Sequence, residues 1–175
     1  MIKRMLQILT INNKVEEKFL RKKTANFDFK NFTKKDLREI IKAMRRMMKL
    51  VGGVGLSANQ VGINSNFFVA ELKNKFYAIF NPKIVKFSDE KELQEEGCLS
   101  VPEHFGLVER AQKVWLEGFD IDGKKIKIKA WGFLAKIFQH EVDHLSGVLF
   151  VDKCKELHKI EKKTDDQISN PKFGL

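Results

Sequence analysis

His140-Glu141-Val142-Asp143-His144 sets two imidazoles four residues apart, with a carboxylate beside the first. The apolar residues around it, Phe133, Leu134, Ile137, Phe138, Val142, Leu145 and Leu149, follow mostly helical spacing. The segment is therefore expected on a partly buried helix. Positions i and i+4 stack on one helix face, so both imidazoles can reach one metal ion. Glu141 projects from a neighbouring angle, where it can act on water without ligating the metal. The pattern points to metal-assisted hydrolysis. A solvated His-Glu face is the bland alternative, and the apolar flanks argue against it.

A catalytic metal usually takes three protein ligands and keeps one position open. Only two cysteines occur, Cys98 and Cys154. Cys98 lies in Glu95-Glu96-Gly97-Cys98-Leu99-Ser100-Val101-Pro102, an apolar, turn-like segment. As a thiolate it suits iron(II) or zinc; as a lone thiol it is more commonly an inert buried residue. Further upstream, Gly52-Gly53-Val54-Gly55-Leu56-Ser57-Ala58-Asn59-Gln60-Val61-Gly62 is dense in glycine, which lets backbone approach a ligand closely. It lacks the Lys-Ser/Thr pair of a phosphate-binding loop, and no strand leads into it. Gln60 offers an amide donor that can polarise a carbonyl oxygen.

In this order along the chain, the three segments resemble the signature motifs of the peptide deformylases. Gly53 to Gln60 matches the glycine-rich motif, Glu96-Gly97-Cys98-Leu99-Ser100 the cysteine motif, and Gln139 to His144 the helix motif. The similarity continues through Asn81-Pro82-Lys83-Ile84 and Leu145 to Asp152, covering most of residues 1 to about 155. The resemblance implies that Cys98, His140 and His144 bind one divalent metal ion. Fe2+ is expected as the native ion, and Zn2+, Ni2+ or Co2+ can occupy the same site. Glu141 is then the general base and acid. Gln60 and the backbone N–H of Leu99 hold the formyl oxygen, and the backbone of Val54, Gly55 and Gly97 pairs with substrate as an added strand does. The implied reaction removes the formyl group from N-formylmethionyl nascent peptides and releases formate.

Three positions depart from the pattern. Ser57 stands where alanine is usual, a small change expected to be tolerated. Phe105 replaces an arginine common in bacterial members. Lys136, one turn before His140, replaces an apolar residue of the methionine pocket; its ammonium is expected to snorkel out along its stem, the alternative being a narrowed side-chain preference.

At 175 residues the chain fits one domain with a sizeable core. No run reaches the length of a membrane span, and Met1 to Thr10 lacks the apolar core of a secretory signal. A disulfide framework is not expected, and a reducing cytoplasm is the natural setting. The net charge of +10 comes from lysine and arginine runs interleaved with acids, the usual look of a solvated surface, and no nucleic-acid motif accompanies it. Weak ribosome contact through that basic surface, including Lys153 to Lys163, is compatible with counterion release; specific nucleic-acid binding is not expected.

The expected fold is a single α+β domain, with mixed or antiparallel strands packed around the central metal-binding helix. The catalytic domain is drawn at residues 1–163, ahead of a polar tail at 164–175 whose composition is compatible with disorder. Residues 1 to about 12 read as extended. Thr33-Lys34-Lys35-Asp36 carries a helix-capping signature ahead of a one-faced apolar helix. Asn66 to Leu72 and Phe76 to Phe87 read as strands, with a bend at Asn81-Pro82. Lys113 to Phe119 and Lys124 to Lys129 read as a hairpin about Asp122-Gly123. The metal helix is expected to start near Trp131 or Gly132 and to end at Gly147. His104 reads as a surface or rim residue, His158 as solvated, Asp143 as a supporting residue, and Arg110 as a partner for an acid near the cysteine loop. Two other classes share parts of this pattern. A zinc peptidase would draw its third ligand from downstream, where Asp152 and His158 are the candidates. A non-catalytic relative would bind through the same pocket, but has no chemical reason to keep Gln60, Cys98, His140, Glu141 and His144 together.

Overall fold

The computed structural model describes residues 6–159; Met1 to Met5 and residues 160–175, including the polar tail, lie outside the described residues. The first helix, α1 (Lys14–Leu20), was not legible as one. It is only seven residues long, too short for an apolar period, and Asn13 starts it by accepting from the N–H groups of Val15 and Glu16. Its Leu20 is fully buried.

The capping signature at Thr33 is realised. The Thr33 hydroxyl accepts from the Asp36 N–H at 3.1 Å, and the Asp36 carboxylate accepts from the Thr33 N–H at 3.2 Å. These reciprocal bonds open α2 (Lys34–Leu50), which buries Leu37, Ile40, Ile41, Met44 and Met48 along one face. That face packs on Phe27, Phe67 and Phe80, whose rings lie 4.7–5.6 Å apart by centroid.

Among the described residues, eight strands form two antiparallel sheets. The larger runs in the order β1 (Gly55–Ser57), β2 (Phe67–Leu72), β3 (Lys75–Phe87), β6 (Lys113–Phe119), β7 (Lys125–Trp131); the smaller runs β4 (Lys91–Cys98), β5 (Val101–Ala111), β8 (Cys154–Lys159). The bend at Asn81-Pro82 falls where the β3–β6 register slips, between Phe80 and Lys83. Asn81 has a positive φ of 48° there, and its amide exchanges two hydrogen bonds with the Phe27 backbone. The β6–β7 hairpin turns at Asp120 to Gly123. Trp131 closes β7, so α3 (Phe133–Leu145) starts slightly later than expected, and Gly147 follows its end with φ +79°.

One face of α3 lies on the larger sheet, where Ala135, Phe138 and Leu145 join Phe68, Ile79, Val114, Leu116 and Ala130 in a buried cluster. The smaller sheet closes over the other side of the helix through β5. Before α1, the Leu9 N–H donates to the Gln60 carbonyl at 2.8 Å and the Ile11 N–H to the Ser100 carbonyl at 2.9 Å. The extended N-terminal segment thus ties the glycine-rich loop to the cysteine turn.

Candidate metal centre and peptide cleft

The site forms where α3 meets the edges of both sheets. Cys98 is the last residue of β4, just before the turn at Leu99 and Ser100. Its Sγ lies 3.1 Å from His144 Nε2, which lies 3.2 Å from His140 Nε2. These three donor atoms all fall within 4.8 Å of one another, and they are the cluster of metal-ligating type that the described residues form. Bonds of about 2.1 Å in a tetrahedral site place ligand atoms roughly 3.4 Å apart, so the separations suit a single cation. A thiolate and two imidazoles match a borderline-soft divalent ion. The peptidase alternative loses its candidates: Asp152 is bound to Arg21 and to the Leu149 N–H, and His158 to Glu95.

Second contacts fix the ligands. His140 Nδ1 is 2.9 Å from Glu96 Oε2, an arrangement that leaves Nε2 free to ligate. Glu96 is clamped by Arg110 at 2.7 and 3.0 Å, Arg110 reaches Asp143 at 2.5 Å, and Lys153 closes the chain on Asp143 at 2.7 Å. Arg110 thus does pair with an acid of the cysteine segment, and Asp143 supports rather than ligates. The Asn59 amide donates to the His144 carbonyl at 2.6 Å. Gln139 exchanges hydrogen bonds with both backbone groups of Ala111, joining α3 to β5. Glu96, Asn59 and Gln139 were quoted in the sequence only as motif positions, because buried polar residues carry no periodic signal of their own.

Electrostatics follow from these contacts. Burial raises the Cys98 pKa, but the charge of His144 and hydrogen bonds from His140 and His144 outweigh it and bring the thiol down to about 5. Burial also opposes charge on Glu96, yet His140 and Arg110 hold it at about 2. Glu141 is pushed up, chiefly by burial, against the pull of His140, His144 and Ser57.

Glu141 leans over the glycine-rich strand. A side chain at Gly55 would place its Cβ against Glu141 Oε1 and only 2.8 Å from Cδ, so only glycine leaves room for the carboxylate. Ser57, expected merely to be tolerated, donates its hydroxyl to Glu141 Oε2 at 2.6 Å. Gln60 is oriented through its Oε1, which accepts from the Ser57 N–H at 2.9 Å. Its Nε2 then points to Ser100 Oγ at 3.2 Å and Cys98 Sγ at 3.6 Å.

A cavity of about 480 Å³ opens beside these groups, lined by Val54, Gly55, Gly97 and Leu99 among others. β1 and β4 are edge strands of their sheets, and residues of both line it. The Val54 carbonyl already accepts from the Glu71 N–H at 2.9 Å. Phe105 covers Gly97 so closely that a Cβ there would meet its ring at 2.6 Å. The β5–β8 register sets His158 opposite Phe105, with rings 6.4 Å apart and nearly parallel. His158 was read as solvated; it is half exposed, yet it lines the cavity and bonds Glu95 at 3.0 Å. His104 is no ligand, its Nδ1 lying 2.8 Å from the Pro102 carbonyl.

The snorkelling expected of Lys136 does not occur. The residue is 7% exposed, and its ammonium bonds the Glu95 carbonyl across the cavity wall. β4, which the sequence did not reveal as a strand, brings that carbonyl over the helix, and the chain finds a partner without reaching solvent.

Comparison with known proteins places this geometry. The family model described as polypeptide deformylase matches residues 5–160. The chain belongs to the peptide deformylase family. Peptide deformylase of Treponema pallidum is 41% identical over 132 residues, 75% of this chain and 78% of that protein. That of Halothermothrix orenii is 45% identical over 123 residues, 69% and 79% of the two chains. The crystal structure of the Thermotoga maritima deformylase superposes with a TM-score of 0.78 at 35% identity, covering 87% of this chain and 99% of that one. A Met-Ala-Ser-bound deformylase of Acinetobacter baumannii gives 0.78 at 32% identity, covering 87% and 99%. As a peptide deformylase, this chain is a hydrolase that removes the N-formyl group from nascent peptides.

Proposed function

We propose the following division of labour within that reaction. Cys98, His140 and His144 hold one divalent cation, with Fe2+ as the native ion and Zn2+, Ni2+ or Co2+ as substitutes. When bound, the cation supplies Lewis acidity at the formyl group and to water. Glu141 takes the proton of the attacking water and passes it to the leaving amine, a role helped by burial, which raises its carboxyl pKa. Gln60 Nε2 and the Leu99 N–H donate to the formyl oxygen as it gains charge, interactions worth about 3–4 kcal/mol each when removed. The substrate backbone adds to the free edges at Val54, Gly55 and Gly97, as the product-like Met-Ala-Ser of the Acinetobacter relative suggests. The catalytic unit is taken as residues 1–163. The setting is the cytoplasm, in keeping with two free thiols, and no helix among the described residues is long and apolar enough to cross a membrane. Weak ribosome contact is assigned to the basic surface.

The observation that carries this reading is the convergence of Cys98, His140 and His144 beside Glu141, next to two strands that are sheet edges among the described residues. The test is formate release from formyl-Met-Ala-Ser by protein prepared without oxygen and loaded with iron(II), with nickel as an oxygen-tolerant control. Wild-type protein is expected to turn over only with metal. Glu141→Gln should keep the metal and lose at least about 10²–10⁴-fold in turnover; a near-normal rate in that variant removes Glu141 from its role.

A further inference from the structure

Lys136 puts a hydrogen-bond donor into the wall of the cleft, and its position relative to the metal ligands gives that donor a use. It precedes His140 by one turn of α3, on the same face, and lines the same cavity. Its ammonium is occupied by one acceptor, the Glu95 carbonyl, and lies 5.5 Å from the centroid of the Phe133 ring. The nearby acids are engaged elsewhere: the Glu95 carboxylate faces His158 at 3.0 Å, Glu96 is held by Arg110 and His140, and Glu92 accepts from the Gln94 amide at 2.7 Å. An ammonium has three donors, and even a neutral amine has two, so at least one N–H is left for a ligand.

Lys136 and His140 line one cavity, so a first side chain that fills this cavity beside a formyl group at His140 meets the Lys136 wall. We propose that Lys136 selects first residues bearing an acceptor on the δ atom, and that this enzyme deformylates peptides starting with oxidised methionine, the sulfoxide, as a substrate in its own right. The sulfoxide oxygen takes a charge-assisted hydrogen bond from a Lys136 N–H not used by the Glu95 carbonyl, whereas a pure hydrocarbon side chain leaves that N–H unmet. The thioether of methionine, a weak acceptor, falls between the two. The reaction is the same hydrolysis: water oxygen bonds to the formyl carbon, the C–N bond breaks, the amine takes the proton and formate leaves. The inference rests on the deformylase reading of the site.

The test compares kcat/KM for formyl-Met(sulfoxide)-Ala-Ser, formyl-Met-Ala-Ser and formyl-norleucyl-Ala-Ser, together with calorimetric binding of the corresponding deformylated tripeptides. Wild-type enzyme is expected to prefer sulfoxide over norleucine by about 10-fold or more, the size of one charged hydrogen bond. Lys136→Leu should reverse that order in both catalysis and binding, and Lys136→Arg should largely keep it. A preference unchanged in Lys136→Leu overturns the proposal. If that variant does not fold, the wild-type ratio decides, and norleucine equal to or above sulfoxide overturns it. Failure of the deformylase reading looks different: the iron-loaded enzyme then releases formate from none of the three, and the proposal falls with it.

Discussion

The β1 wall of the cleft is held by apolar packing, whereas the β4 wall is held by charge. Behind β1, Leu56 and Ala58 are fully buried against Met44, Met48 and Phe67, and α3 adds Phe138 to the same sheet. Behind β4 the apolar cluster shrinks to Val101, Val108, Leu149 and Phe150, with a few half-buried neighbours. What fixes that wall is the chain His140–Glu96–Arg110–Asp143–Lys153. Apolar packing is non-directional and indifferent to pH. A buried ionic chain is directional, so it can aim a ligand, but it depends on every member being present. The difference assigns position to one wall and ligand orientation to the other.

Breaking the ionic wall should have the largest effect. Arg110→Ala leaves Glu96 without its clamp and strands a buried carboxylate, a loss of about 3–5 kcal/mol by analogy with other broken buried pairs. Because Glu96 orients His140, metal affinity should fall as well, by about 10–100-fold. Urea unfolding and metal titration of the same variant check both. If stability falls while metal affinity holds, the ionic chain is structural only.

The apolar wall gives the contrasting result. Leu116, on β6, is 1% exposed within the cluster under α3. Leu116→Ala should cost about 3 kcal/mol through lost contacts and a cavity. Metal affinity in the folded variant should stay within about 2-fold, since no ligand contact passes through Leu116. A metal-affinity loss comparable to that of Arg110→Ala would mean that the two walls are not separable.

The same contrast explains what could be read from the chain beforehand. Four strands of the larger sheet were legible, all but the short β1, because segments such as Phe67 to Leu72 and Lys113 to Phe119 offer aromatic and β-branched residues to a thick core. The α3 motif was legible because i, i+4 spacing needs no tertiary information. β4, Lys-Glu-Leu-Gln-Glu-Glu-Gly-Cys, was not: it buries only Glu96, so no alternation of apolar and polar residues marks it. Missing β4, β5 and β8, the whole smaller sheet, hid three features of the site: the Glu95 carbonyl above Lys136, the seating of His158 against Phe105, and the burial of Glu96. Ser57 is a different case. Its position was read, but its hydroxyl contact with Glu141 depends on how closely α3 approaches β1, which spacing along the chain does not encode.

The ionic wall should also give the metal-free protein an acid sensitivity that the apolar wall lacks. Glu96 has its carboxyl held at about 2 in the fold, against an ordinary 4.5. A depressed pKa stabilises the folded state above the unfolded value, and that contribution is lost as pH falls towards the folded one. The window therefore runs from about pH 4.5 down to about pH 2, and by pH 3 roughly 2 kcal/mol of the Glu96 contribution should be gone. Unfolding free energies measured between pH 6 and pH 3 check this, with Glu96→Gln as the comparison. The variant starts less stable, because a neutral amide pairs poorly with Arg110, but it should lose less on acidification. A parallel decline in both proteins would move the acid sensitivity away from Glu96, to carboxylates paired elsewhere, such as Glu71 with Arg45 and Lys49.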